Sequence, residues 1–224
     1  MEILYQDNAL WVLQKPLELV SEQTPDQSGL ADLLAAQNRG YVGVVHRLDR
    51  GVGGVMVYAK TPRAAATLSA QVQSRALKKE YLAVVEGVPD APTGQLRDLL
   101  FHDRRINKTF VVERERKGVK EALLDYELLQ TLTTEAFGTI SLLRVRLHTG
   151  RTHQIRAQFA HRKLPLLGDR KYGARNTHTI GLFSHRLTFL HPLNGREVRF
   201  SALPTGAPWE CFSTLPPQEK DVHD

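Results

Sequence analysis

The feature that most constrains the fold is a long succession of short β-type runs, each closed by a turn residue. Residues 2–15 alternate in parts and carry Trp11, Val12 and Leu13 before Lys15-Pro16, which reads as one or two strands stopped by a proline. Further strands are expected at 43–45, 54–59, 78–88, 96–101, 109–112, 122–131, 139–147, 182–190 and 197–202. Pro89 to Gly94, the mixed-charge stretch around Gly118, and Asn194-Gly195 separate some of them. Asn-Gly is a strong hairpin signal because both residues tolerate positive φ.

Only three stretches carry a helical pattern. Ser28 to Ala36 has an apolar stripe of Leu30, Leu33 and Leu34, with Ser28 as N-cap and Gly40 as its stop. Thr61-Pro62 opens the second, a capping Thr followed by a proline preorganised for the first helical position. Ala65, Leu68 and Val72 follow at near-helical spacing. The third runs from about His153 to His161 with Thr152 as its cap, and Ile155 and Phe159 can pack inward together. Many strands with a few inserted helices and no internal repeat predict an α+β fold. Its sheet is expected to be large and mostly antiparallel. The tail beyond Pro216 is polar and expected to fray.

Charge narrows the class of partner. The 224 residues carry 30 Lys+Arg against 24 Asp+Glu, a net charge of +6. The excess is uneven. Between Arg144 and Arg175 lie Arg144, Arg146, Arg151, Arg156, Arg162, Lys163, Arg170, Lys171 and Arg175, against a single acid, Asp169. So one-sided a block suggests a polyanion; the alternative is a solvated basic face that aids solubility. No run approaches the roughly 18–20 apolar residues of a membrane span. The N-terminus has no basic region followed by an apolar core, so no secretory signal is expected. Cys211 is the only cysteine, which leaves no disulfide framework or cysteine-based metal site and fits a reducing cytoplasm.

Three segments can carry chemistry. In His46-Arg47-Leu48-Asp49-Arg50-Gly51-Val52-Gly53-Gly54 one carboxylate sits between two arginines in a glycine-rich turn. Neighbouring cations favour the ionised form, the state a nucleophile or general base needs. The alternative is an Asp–Arg pair that only ties down the turn. In Leu147 to Arg156, the N–H groups of a helix start can face an anion. Arg156 lies at the margin of that helix's apolar face, within reach of a buried carboxylate. A phosphate-binding helix start, or a surface helix with arginines, would look similar. The third segment, Lys78 to Gly87, holds Tyr81, by default a core aromatic with a hydrogen-bonded hydroxyl. A basic loop, His102 to Lys108, adds Arg104, Arg105 and Lys108, which read either as phosphate contacts or as solvated charge.

In this order the three segments resemble the RluA-type pseudouridine synthases. His46-Arg47-Leu48-Asp49 resembles that family's first motif, Lys79-Glu80-Tyr81 its second, and Gly150-Arg151-Thr152-His153-Gln154-Ile155-Arg156 its third. Leu166 to Gly173 is similar to the stretch that follows, and the resemblance extends from about Ile3 to Phe212. Val52-Gly53-Gly54 departs from the Thr-Ser-Gly often found after the catalytic turn.

The resemblance implies the pseudouridine synthase fold, a large, mostly antiparallel mixed sheet with flanking helices and a basic central cleft across it, with Asp49 at the cleft floor. The implied reaction is isomerisation of uridine to pseudouridine within ribosomal or transfer RNA, with no cofactor and no metal. Asp49 would be the catalytic carboxylate and Arg156 its ion-pair partner. Tyr81 would stack on the uracil, and Arg47 would aid base flipping. Arg151, Arg104, Arg105 and Lys108 would contact RNA. Residues 1–213 would form the catalytic domain and 214–224 a polar tail, with no small RNA-binding domain before them. The chain would act as a monomer. The alternative is an RNA-binding protein on the same scaffold with weak or lost catalysis. A remoter one is a phosphate-ester hydrolase using the Thr152 helix start.

Overall fold

A computed structural model describes residues 1–24, 27–38, 40–176, 178–218 and 220–221. In chain order the first elements are β1 (Glu2–Gln6), β2 (Leu10–Lys15), α1 (Leu30–Asn38), β3 (Gly43–Val44), β4 (Gly53–Ala59) and α2 (Pro62–Gln73). Then come β5 (Lys78–Glu86), β6 (Thr93–Asp103), β7 (Lys108–Val112), β8 (Val119–Thr134), β9 (Gly138–Leu147) and α3 (Gln154–His161). The last are β10 (Leu182–Leu190), β11 (Glu197–Ser201) and β12 (Lys220–Asp221). The chain divides into two compact units. One comprises Met1–Lys79, Phe183–Pro204 and Pro217–Asp224; the other comprises Glu80–Leu182 and Thr205–Pro216.

In the first unit β4 is the central strand. β2 pairs with it antiparallel from Leu10↔Ala59 to Lys15↔Gly54, and β3 pairs through Gly43↔Ala59 and Val44↔Tyr58. β10 pairs parallel, Gly53↔Phe183 and Gly54↔Ser184, which makes the sheet mixed. β1 continues antiparallel from β2, and β11 from β10. All seven residues of β4 are buried, as a strand covered on both faces requires. Leu10, Val12, Leu13, Val55, Met56, Val57 and Tyr58 are fully buried here, each large apolar side chain contributing about 1.5–3 kcal/mol.

Thr61 caps α2 as expected: its hydroxyl accepts the Ala64 N–H at 3.1 Å, and Pro62 follows. The buried face is Ala64, Leu68 and Gln71, one step round from the expected stripe at two of three positions.

Three expectations change in this unit. The residue before α1 is Gly29, not Ser28. Its N–H donates to the Asp32 carboxylate at 2.7 Å, and a Cβ there would lie 2.2 Å from the Glu22 carbonyl carbon. Only glycine fits that close approach. Leu30 and Leu34 are fully buried but Leu33 is 45% exposed, because a two-turn helix presents a narrow stripe. Lys220 and Asp221, expected to fray, pair with Phe200 and Arg199 of β11.

In the second unit the strand order is β5-β9-β8-β6-β7. β8 pairs antiparallel with β6 and with β9, the latter with a bulge between Leu128 and Gln130. β6 and β7 form a hairpin whose turn carries the basic loop. Residues Glu80 to Val85 of β5 are buried on both faces. α3 packs on β6 and β7, where Ala157 meets Leu100 and Ala122. No helix among the described residues is long and apolar enough to cross a membrane.

Candidate active site

Asp49 sits, half-buried, on a tight turn between β3 and β4. The Val52 N–H donates to the Asp49 carbonyl at 3.0 Å, and Gly51 takes φ +80°, as the third position of a type II turn demands. Gly54 then enters β4 at φ +119°, where a Cβ would lie 2.2 Å from the Ser184 carbonyl oxygen. The glycines thus have separate reasons: Gly51 supplies a backbone conformation, and Gly54 also supplies space.

The backbone before Asp49 is held by two side chains. His46 is buried, and its Nε2 accepts the Val57 N–H at 3.2 Å, which places the ring proton on Nδ1. Burial, then the nearby Lys79 charge, holds His46 well below the ordinary imidazole range, so it stays neutral. Ser21 Oγ lies 3.0 Å from the Leu48 N–H and 3.1 Å from the Leu48 carbonyl.

Lys15 was not foreseen. It ends β2 fully buried, and its ammonium donates to the Pro16 and Leu19 carbonyls at 2.9 and 2.6 Å. Burial lowers its pKa to about 8, while Glu18 and Asp49 act to raise it. A dehydrated cation therefore acts electrostatically on Asp49. Arg47 points outward, its Nη1 2.6 Å from the Glu22 carboxylate, and its side chain is 68% exposed. Arg50 is exposed.

In the second unit Arg156 is buried on α3 and forks onto Asp169, Nε to Oδ2 at 2.7 Å and Nη2 to Oδ1 at 2.9 Å. Asp169 is 1% exposed. The sequence signal for this partner was present: Asp169 is the lone acid in the basic block. The Arg156 guanidinium lies 5.0 Å from the centre of the Tyr172 ring, and the Lys108 ammonium 5.2 Å. Two cations on one ring are tolerable because an aromatic face is electron-rich. The Tyr172 hydroxyl accepts the Thr109 N–H at 2.7 Å and lies 3.0 Å from His153 Nδ1; burial pushes its pKa up.

Thr152 does not cap α3. The cap position is His153, at φ +52° and with no side-chain cap bond. The Gln154 side chain instead ties down the loop before α3: its Oε1 accepts from the Arg151 N–H at 3.0 Å and the Thr149 hydroxyl at 2.8 Å, and its Nε2 donates to the Leu123 carbonyl at 3.1 Å. The Thr152 carbonyl accepts from Thr109 Oγ1 at 2.8 Å.

Tyr81 is buried on β5, next to Glu80, whose Oε2 accepts from Arg146 Nε at 3.2 Å. Arg151 donates through Nε to the Glu121 carbonyl at 2.9 Å. Arg104 is exposed, and Arg105, also exposed, pairs with Asp103 at 3.1 Å. Of the basic-loop residues, Lys108 lies over the Tyr172 ring that Arg156 also covers. Among the described residues no three His, Cys, Asp or Glu side chains group as metal ligands would.

Comparison with known proteins connects these features to a chemistry. The RNA pseudouridylate synthase family matches residues 9–161. An uncharacterized RNA pseudouridine synthase of Aquifex aeolicus is 34% identical over 221 residues, covering 89% of this chain and 68% of that protein. The ribosomal large subunit pseudouridine synthase D of Xanthomonas campestris is 35% identical, covering 90% of this chain and 65% of that one. Human RNA pseudouridylate synthase domain containing 1 shares the fold, with TM-score 0.78 and 20% identity over 99% of this chain and 91% of its own. With the match spanning both the Asp49 turn and Arg156, the chain belongs to the RNA pseudouridylate synthase family and is an isomerase that acts on RNA.

Proposed function

We propose that this chain converts uridine to pseudouridine in structured RNA, ribosomal or transfer, with Asp49 as the catalytic carboxylate. The observation that carries this reading is the fixing of the Asp49 backbone by Ser21, His46 and the Gly51 turn, which leaves an acid on a preorganised loop. Ribosomal RNA is favoured because relatives bear the name ribosomal large subunit pseudouridine synthase.

The reaction is an isomerisation. The N1–C1′ bond breaks, the uracil turns, and a C5–C1′ bond forms; the C5 proton is lost and N1 gains one. Asp49 assists at the glycosidic centre, and Arg156 serves as its counter-cation. Tyr81 stacks on the uracil. Arg47 takes the space of the flipped nucleotide, since a planar cation both stacks and binds phosphate. Arg151, Arg104, Arg105 and Lys108 contact the RNA backbone. In this reading residues 1–213 are the catalytic domain, 214–224 a polar tail whose Lys220 and Asp221 pair with β11, and the chain works as a monomer in the cytoplasm.

Pseudouridine mapping of total RNA tests this in cells that lack the native copy. Asp49→Asn is expected to abolish the modification while RNA affinity changes little. Identical maps from wild type and Asp49→Asn would overturn the reading. RNA retention without isomerisation by the wild-type chain would favour the binding-protein alternative.

A further inference from the structure

We propose that Ser21 is a positioning residue for Asp49, acting through the main chain of Leu48. The proposal rests on the catalytic reading of Asp49 given above. Ser21 is 3% exposed and lies on the segment that follows β2. Its single hydroxyl meets both polar groups of Leu48, 3.0 Å from the N–H and 3.1 Å from the carbonyl. That carbonyl belongs to the peptide bond joining Leu48 to Asp49. The hydroxyl therefore sets the plane from which the Asp49 side chain departs.

Ser21 is itself fixed. Its carbonyl accepts from the Tyr58 hydroxyl at 2.8 Å and from the Ala31 N–H in the first turn of α1 at 3.3 Å. Tyr58 is fully buried at the centre of β4. The neighbouring contacts run in step: Glu22 holds Arg47, Ser21 holds Leu48, and the Lys15 charge acts on Asp49. The segment 15–22 is thus a strap laid along the catalytic turn.

The test uses the full chain with total RNA from cells lacking the gene, read as single-turnover pseudouridine formation at saturating protein. A misplacement of about 1 Å costs about 10²-fold in rate, so Ser21→Ala is expected to slow the step by about 10- to 100-fold. The Kd for the same RNA should stay within about twofold, since the hydroxyl faces Leu48 rather than the solvent. Ser21→Thr, which keeps the hydroxyl, should restore most of the rate. Tyr58→Phe removes only the hydroxyl that holds Ser21, and a smaller loss in the same direction is expected; it decides the matter if Ser21→Ala fails to fold.

A folded Ser21→Ala at wild-type rate, or a loss carried wholly by Kd, would overturn the proposal. So would a folded Tyr58→Phe at wild-type rate where Ser21→Ala does not fold. A wild-type chain that modifies none of the RNA would remove the catalytic reading itself, and that outcome appears in the wild-type arm alone.

Discussion

The Arg156–Asp169 pair offers a sharp test of how the second unit is held together. Both side chains are buried, and the fork has two short bonds, at 2.7 and 2.9 Å. Asp169→Asn keeps the shape and one acceptor but removes the negative charge. With an effective dielectric constant near 20, opposite charges about 4 Å apart attract by about 4 kcal/mol. Breaking a buried pair on one side typically costs about 3–5 kcal/mol, because the remaining ion has already lost its water. The expected loss is at the lower end, about 3 kcal/mol, since the amide oxygen still accepts one bond. For a chain of this length that is a fall in Tm of about 6–12 °C.

Urea denaturation followed by tryptophan fluorescence and circular dichroism gives the free energy, and a thermal scan gives Tm. The companion variant, Arg156→Met with Asp169→Leu, removes both charges and should recover part of the loss. If Asp169→Asn unfolds within about 1 kcal/mol of wild type, the Asp169 charge does not stabilise buried Arg156, and the reasoning fails.

Two further outcomes follow from the first unit. Lys15 titrates near 8 when folded against 10.5 in an open chain, so between these values the unfolded state holds a proton that the folded state has shed. Its contribution is least favourable below pH 8 and improves as pH rises. Relative to Lys15→Met, wild type should gain roughly 2–3 kcal/mol between pH 7 and pH 10 in urea titrations, and parallel curves would refute the assignment. At Gly54, alanine would meet the Ser184 backbone at 2.2 Å with φ at +119°, whereas at Gly51 it meets nothing and suffers only the φ of +80°. Gly51→Ala should cost about 1–2 kcal/mol in a melting assay. Gly54→Ala should cost at least about 3 kcal/mol, and equal losses would show that φ alone matters.

The sheet was legible because its strands are rich in branched residues and punctuated by turn formers. α2 was legible because Thr61-Pro62 is a cap written in two residues. Thr152 misled for an instructive reason. A hydroxyl in the right place is a cap only if the backbone turns toward it, and here the left-handed His153 takes the cap position without a side-chain bond. Lys15 misled because a lysine before a proline looks like the wet end of a strand. Its burial depends on two carbonyls, of Pro16 and Leu19, which a local chain reversal brings to the ammonium. The Asp49 turn was found by its local composition, but its supports, Ser21 and His46, act through main-chain groups that no residue pattern announces.

The parallel pairing of β4 with β10 has a consequence for the order of events during synthesis. Gly53 and Gly54 find their partners only at Phe183 and Ser184, whereas the strands of the second unit lie within one continuous stretch, Glu80–Leu182. Pairings between distant residues form slowly, and chains fold unit by unit as they emerge. The second unit is therefore expected to take shape on the ribosome first, with the Asp49 turn still waiting for its neighbouring strand. The supports of the Asp49 turn, Ser21, His46 and Gly51, are thus made early, and the parallel strand beside Gly53 and Gly54 is added to them late.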